Sequence, residues 1–116
     1  MNKTVCCLTT VDKWNHSKNE GVYLDKSLDS EGFIHCSYPN QLVKVANKHF
    51  KGIENVLILC IDSRKLDCEV VEEDLSNLNE LYPHIYGSIN IEAVTSIINF
   101  QSDSYGVFSL PKEMRV

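Results

Sequence analysis

Several things are missing from this 116-residue sequence, and each absence closes off a class of function. No apolar run approaches the roughly 20 residues a helix needs to cross a bilayer, so no membrane partner is expected. Neither a Walker pattern nor a dinucleotide fingerprint is present, so any bound nucleotide must be held by another kind of pocket. Basic residues are in the minority: 11 Lys and Arg stand against 16 Asp and Glu, for a net charge of −5. That balance lacks the basic face on which general nucleic-acid binding depends. Cysteine pairs at structural-zinc spacing are also absent, since Cys6, Cys7, Cys36, Cys60 and Cys68 form an odd, irregular set. The opening Met1-Asn2-Lys3-Thr4-Val5 passes straight into a strand pattern without a signal-peptide core. A cytoplasmic protein with reduced thiols is the expectation.

What is present reads as one domain over residues 1–116. Hydrophobic content of 43% and charged content of 23% are those of an ordinary soluble globule. Residues 3–8 predict a first strand, and Thr9 or Thr10 a cap for a short helix through Asp12, Trp14 and Ser17 that stops at Gly21. Val22-Tyr23-Leu24 is a brief extended piece, residues 25–31 a loop, and Phe33-Ile34-His35-Cys36 a buried strand. Leu42, Val45, Ala46, His49 and Phe50 follow helical spacing, and Gly52 ends that helix. Residues 56–61 are continuously apolar and predict a strand covered on both faces. Further strands are expected at 68–72 and 94–100, and a terminal strand or tail at 108–111. Strands come in runs instead of alternating with helices, so the expected class is α+β with about six strands and two clear helices.

Two polar clusters carry the candidate chemistry. In Glu31-Gly32-Phe33-Ile34-His35-Cys36-Ser37, Gly32 lets the chain turn tightly into the strand, and His35 and Ser37 share a face by alternation. Ser37 is also placed to cap a helix opening at Tyr38-Pro39. In Tyr82-Pro83-His84-Ile85-Tyr86-Gly87, His84 and Tyr86 share a face, and Gly87 permits a close approach or a sharp turn. Histidine is the side chain whose ordinary titration range lies nearest neutrality, which makes two imidazoles natural general acids or bases. Imidazole, phenol and hydroxyls with few charges suit a sugar or amide ligand better than a polyphosphate. A metal is not expected: Cys6 and Cys7 point to opposite faces of a strand, as do His35 and Cys36. A Cys–His nucleophile pair, Cys7 or Cys36 with His84, is a further chemical option.

With both clusters in view the chain resembles, nearly end to end, the bacterial domain of unknown function family 952. The resemblance rests on the first strand ending in Thr9, Trp14, Gly21-Val22-Tyr23, the two clusters just quoted, and the closing Phe108-Ser109-Leu110-Pro111. It implies a relation to the ADP-ribosyltransferase fold and especially to RNA 2′-phosphotransferases: two small split antiparallel sheets with an NAD-type cleft between them. On that footing Cys7-Leu8-Thr9 falls at a His-Gly-Thr motif and His35-Cys36-Ser37 at a His-Leu-Ser motif. The resemblance then implies His35 and His84 as catalytic residues and Cys7, Thr9, Ser37, Tyr86 and Gly87 as ligand-binding ones. The implied ligand is NAD or another ribose-containing nucleotide. Cys7 departs from the motif histidine, and the only arginines, Arg64 and Arg115, lie away from the motifs. Glu72 and Glu80 are the candidates for a catalytic glutamate. The alternatives are a catalytically inactive nucleotide- or sugar-binding module of the same fold and a structural or partner-binding protein.

Overall fold

Six apolar residues in a row leave neither face of Val56–Ile61 (β4) free for water, and all six are buried. The strand accordingly takes the middle place in an antiparallel sheet, between Val5–Thr10 (β1) and Val94–Phe100 (β8). The computed structural model describes residues 4–75 and 77–114. Alternation along β1 divides the core in two. Val5 and Cys7 face one side with Leu57, Leu59 and Ile61, and Cys6 faces the other with Val56, Ile58 and Cys60.

On the Cys6 side lies the helix Leu42–His49 (α3), which sets Leu42 and Ala46, one turn apart, on the sheet. Phe100 and Phe108 close that layer with ring centroids 4.8 Å apart. Asn47 holds Phe108 there: its side chain accepts from the Phe108 N–H at 2.8 Å and donates to the Phe108 carbonyl at 3.1 Å. Residues 108–111 are therefore a tail without strand pairing, anchored at Phe108.

On the Cys7 side packs a second antiparallel sheet, in the order Ile34–His35 (β3), Tyr82–Ile85 (β6), Val70–Glu73 (β5). Ile34, Cys36 and Ile85 form its inner face. They meet Trp14 of the helix Val11–Glu20 (α1), and Tyr23 and Ile89 of a small ribbon. That ribbon pairs Val22–Tyr23 (β2) with Ile89–Asn90 (β7). The two larger sheets are stitched together at one bridge. The Cys6 N–H donates to the Ser37 carbonyl at 2.7 Å, and the Ser37 N–H donates to the Cys6 carbonyl at 2.8 Å. The α+β class, with small antiparallel sheets and two longer helices, is as expected. Among the described residues no helix is long and apolar enough to cross a membrane.

Local details differ from expectation for identifiable reasons. The first strand runs Val5–Thr10, and Lys3 lies outside the described residues. Thr10 caps α1, and Gly21 ends it at a φ of 85° that favours glycine. Residues 25–31 contain a helix, Lys26–Ser30 (α2), because the Asp25 side chain accepts from the Ser27 N–H at 3.3 Å and caps it. Ser37 does not occupy the cap position ahead of α3. Its backbone is committed to Cys6, and Tyr38, whose N–H donates to the Gln41 side chain at 3.0 Å, caps the short 3-10 turn Pro39–Gln41 that leads into α3. The strand expected at 68–72 lies at Val70–Glu73. Among the described residues eight strands appear in place of about six, because two-residue pairings such as β2 with β7 are too short to leave a periodic trace.

Candidate functional site

Register decides which side chains meet on the outer face of β3–β6–β5. Ile34 stands opposite Ile85 and His35 opposite His84. The Cys36 N–H donates to the Pro83 carbonyl at 3.1 Å, so His35 and His84 form the intervening pair without backbone hydrogen bonds. In such pairs the Cα atoms approach to about 4.5 Å and the side chains are closest. The two imidazoles meet edge to face, with centroids 5.2 Å apart and planes at 78°.

Each imidazole has its own carboxylate. His35 Nε2 lies 2.8 Å from Glu31 Oε2. Gly32, at a φ of 87°, turns the chain from the end of α2 into β3 and so folds Glu31 back over His35. His84 Nδ1 lies 2.9 Å from Glu73 Oε1, on the same outer face of β5, and the Tyr86 hydroxyl donates to the same oxygen at 2.6 Å. Because a carboxylate only accepts, the proton of His84 sits on Nδ1, which leaves Nε2 as the basic nitrogen of the neutral ring. Tyr86 first, and then His84, hold the Glu73 carboxyl below the usual carboxylate range; Glu73 in turn holds the Tyr86 phenol above its ordinary value.

Phe33 roofs the cluster. Its ring stacks on His84 at 4.3 Å and contacts His35 at 4.9 Å and Tyr86 at 5.2 Å. His84 is only 3% exposed in consequence, whereas the side chain of His35 is 54% exposed. The arrangement can do acid–base chemistry: one oriented, sheltered imidazole lies beside a second that meets solvent. Beside it, Gly87 allows the chain to pass against Cys68, because a Cβ there would lie 2.9 Å from the Cys68 Cβ.

Of the residues expected at a site, His35, His84 and Tyr86 come together on this face, with Gly87 adjoining. Cys7 and Thr9 lie on the other side of the sheet. Cys7 packs with Ile34, Cys36 and Ile85, and the Thr9 hydroxyl accepts from the Tyr23 hydroxyl at 2.9 Å. Burial raises the Tyr23 phenol well above its ordinary value, and a Cys7 hydrogen bond, followed by burial, does the same for the Cys36 thiol. Ser37 is buried at the bridge between the sheets. Glu72 and Glu80 turn elsewhere. Glu72 accepts from the Tyr38 hydroxyl at 2.7 Å, and Glu80 accepts from the Gln41 amide and pairs with Lys44. Arg64 pairs with Asp62, and Arg115 lies outside the described residues. No cluster of three or more metal-ligating side chains occurs among the described residues. Sequence reasoning missed Glu73 and Phe33. Alternation was the available signal: Glu73 shares a face with Val71, the residue paired with His84, and Phe33 shares one with His35.

The family described as "Protein of unknown function (DUF952)" matches the chain over residues 8–97. Among solved structures, the chain is similar to the crystal structure of protein CC0527 from Caulobacter crescentus. The TM-score is 0.85 at 24% identity, covering 96% of this chain and 97% of that one. The solution structure of the same protein gives a TM-score of 0.70 at 23% identity, with 90% of each chain covered. These likenesses establish a shared fold. No curated protein matches.

Proposed function

This chain belongs to the DUF952 family, and we propose that the outer face of β3–β6–β5 is an acid–base active site for a ribose-containing small molecule. The observation that carries the reading is the pair His35 and His84, set opposite each other by register and each held by its own carboxylate. Two adjacent imidazoles with separate acidic partners can give and take a proton in one turnover. His84, oriented through Nδ1 by Glu73, acts as the base, and the exposed His35 acts as the partner acid. Glu73 is a positioning residue: it fixes the tautomer and steadies the imidazolium that forms. Tyr86 supplies a phenol at the rim, and Phe33 and Gly87 shape the surface around it.

The ligand class is an NAD- or ADP-ribose-type molecule engaged at its ribose, as the resemblance to ADP-ribosyltransferase-like proteins implies. Glu31 and Glu73 make the face acidic, which favours contact with neutral sugar hydroxyls and disfavours seating the phosphates against it. A second reading, a binding module without turnover, is favoured by one observation. Cys7 stands where the related motif has histidine, and the Thr9 hydroxyl is already engaged by Tyr23.

An amide NMR titration with NAD and then ADP-ribose, followed by product analysis, separates the readings. Saturable shifts at His35, His84 and Tyr86 with product formation support the enzyme. The same shifts without product support the module. No shifts at millimolar ligand would remove the nucleotide assignment. Shifts confined to Cys7, Thr9 and Ser37 would move the site to the interior between the sheets.

A further inference from the structure

β1 carries two thiols in succession, and neither belongs to the histidine face. Cys6 stands directly opposite Cys60 in the β1–β4 register. Both backbone groups of Cys6 are turned toward Ser37, and the Cys60 carbonyl is turned away to accept from the Thr95 hydroxyl at 3.2 Å. Cys6 and Cys60 are thus a cross-strand pair without mutual backbone hydrogen bonds. The Cα atoms of such a pair lie about 4.5 Å apart, inside the roughly 4.4–6.8 Å that a disulfide spans. Both side chains emerge on the α3 side of the sheet, in one cluster.

The two sulfurs are unequal. The Cys6 thiol donates to the Cys60 sulfur, and this bond, followed by burial, raises Cys6 above the ordinary thiol range. The same bond, assisted by Ser96, brings Cys60 down to about 6 against the opposing effect of burial. Cys60 also retains 7% exposure where Cys6 has none. Cys60 is therefore the member disposed to ionise and the more exposed of the two, and Cys6 is the resolving thiol behind it.

We propose that Cys6 and Cys60 form a peroxide-reactive dithiol that closes reversibly into a cross-strand disulfide. The Cys60 thiolate attacks one peroxide oxygen; the O–O bond breaks and hydroxide leaves, giving a sulfenic acid. The Cys6 sulfur then attacks the Cys60 sulfur, its proton leaves with the displaced hydroxyl, and water departs. In sum, two thiols and one hydrogen peroxide become one disulfide and two waters. Cys7 and Cys36 are the competing neighbours, and they sit in the opposite core layer.

The test uses the full chain with hydrogen peroxide as the oxidant, an alkylating quench and tryptic mapping. Cys6 and Cys7 fall in the peptide 4–13, Cys60 in 52–64 and Cys36 in 27–44. The expected product is 4–13 linked to 52–64, with the loss of two hydrogens, reversed by dithiothreitol. It should persist in Cys7→Ala and vanish in Cys60→Ala. A link from 4–13 to 27–44 would overturn the assignment. So would over-oxidation of Cys60 without any link. Fragmentation of the linked peptide between Cys6 and Cys7 assigns the thiol on the unsubstituted chain, so the result does not depend on either variant folding.

Discussion

The two faces of β3–β6–β5 are built from the same residues of chain, one position apart, and are held by different physics. Ile34 and Ile85 face inward and are fully buried, whereas their neighbours His35 and His84 face outward among carboxylates and aromatic rings. The inner face is stabilised by removal of apolar surface from water, worth about 1.5–3 kcal/mol for a fully buried aliphatic side chain. That contribution carries no charge and is insensitive to pH. The outer face is held by hydrogen bonds to ionised groups, whose strength follows protonation. A sheet arranged this way can keep its shape while its outer groups exchange protons.

The comparison can be tested from either side. The largest stability effect is expected inside: Ile85→Ala should cost about 2–5 kcal/mol, because it removes transfer energy and leaves a cavity beneath β6. Urea unfolding at pH 7 and pH 5 should show the same loss at both. Outside, His35→Gln should lower product formation from NAD by about a hundredfold or more, the usual contribution of a general acid, while the urea midpoint barely moves. An equal loss of stability and activity would mean that the outer face is merely structural. Gly87→Ala tests the seam between the faces. The new Cβ meets the Cys68 Cβ at 2.9 Å and its sulfur at 3.0 Å, so a cost of about 1–3 kcal/mol is expected. Replacing Cys68 by Gly in the same chain should recover most of it.

The strongest periodic signals were legible in advance. The apolar run 56–61 could only be a strand covered on both faces, and the spacing of Leu42 and Ala46 could only serve one face of a helix. His35, His84 and Tyr86 were legible as residue types in two clusters, and alternation correctly gave His84 and Tyr86 a common face. What sequence could not supply was pairing. Whether His35 lies opposite His84 or Tyr82 depends on register, which is set by contacts some fifty residues apart along the chain. Glu73 was hidden for the same reason: in Glu72-Glu73-Asp74 only the strand's phase decides which carboxylate turns to the histidine, and a one-residue slip would have chosen Glu72. Thr9 and Cys7 were expected with the histidines because they share a motif-rich resemblance, but β1 sends them into the core between the sheets.

The smallest effect separates the faces most cleanly, because it concerns one proton. Glu73 is held below the usual carboxylate range, first by the Tyr86 hydroxyl and then by His84. A carboxylate whose folded value is depressed contributes stability that is fully present above its unfolded value, about 4.3. That contribution is lost as pH falls through the folded value. Glu73→Gln lacks this contribution, so the gap in unfolding midpoint between it and the natural chain should be present at pH 5 and close on further acidification. Glu80 and Asp62, also depressed by their own partners, are present in both proteins and cancel in the difference. Tyr86→Phe removes the larger of the two donors and should shift the closing of the gap to higher pH, while Ile85→Ala should leave it where it was. Thermal melts of the natural chain, Tyr86→Phe and Ile85→Ala across that range, each with and without Glu73→Gln, decide the matter. Parallel curves for Glu73→Gln and the natural chain would mean that Glu73 is not held by these groups, and His84 would lose its orienting partner.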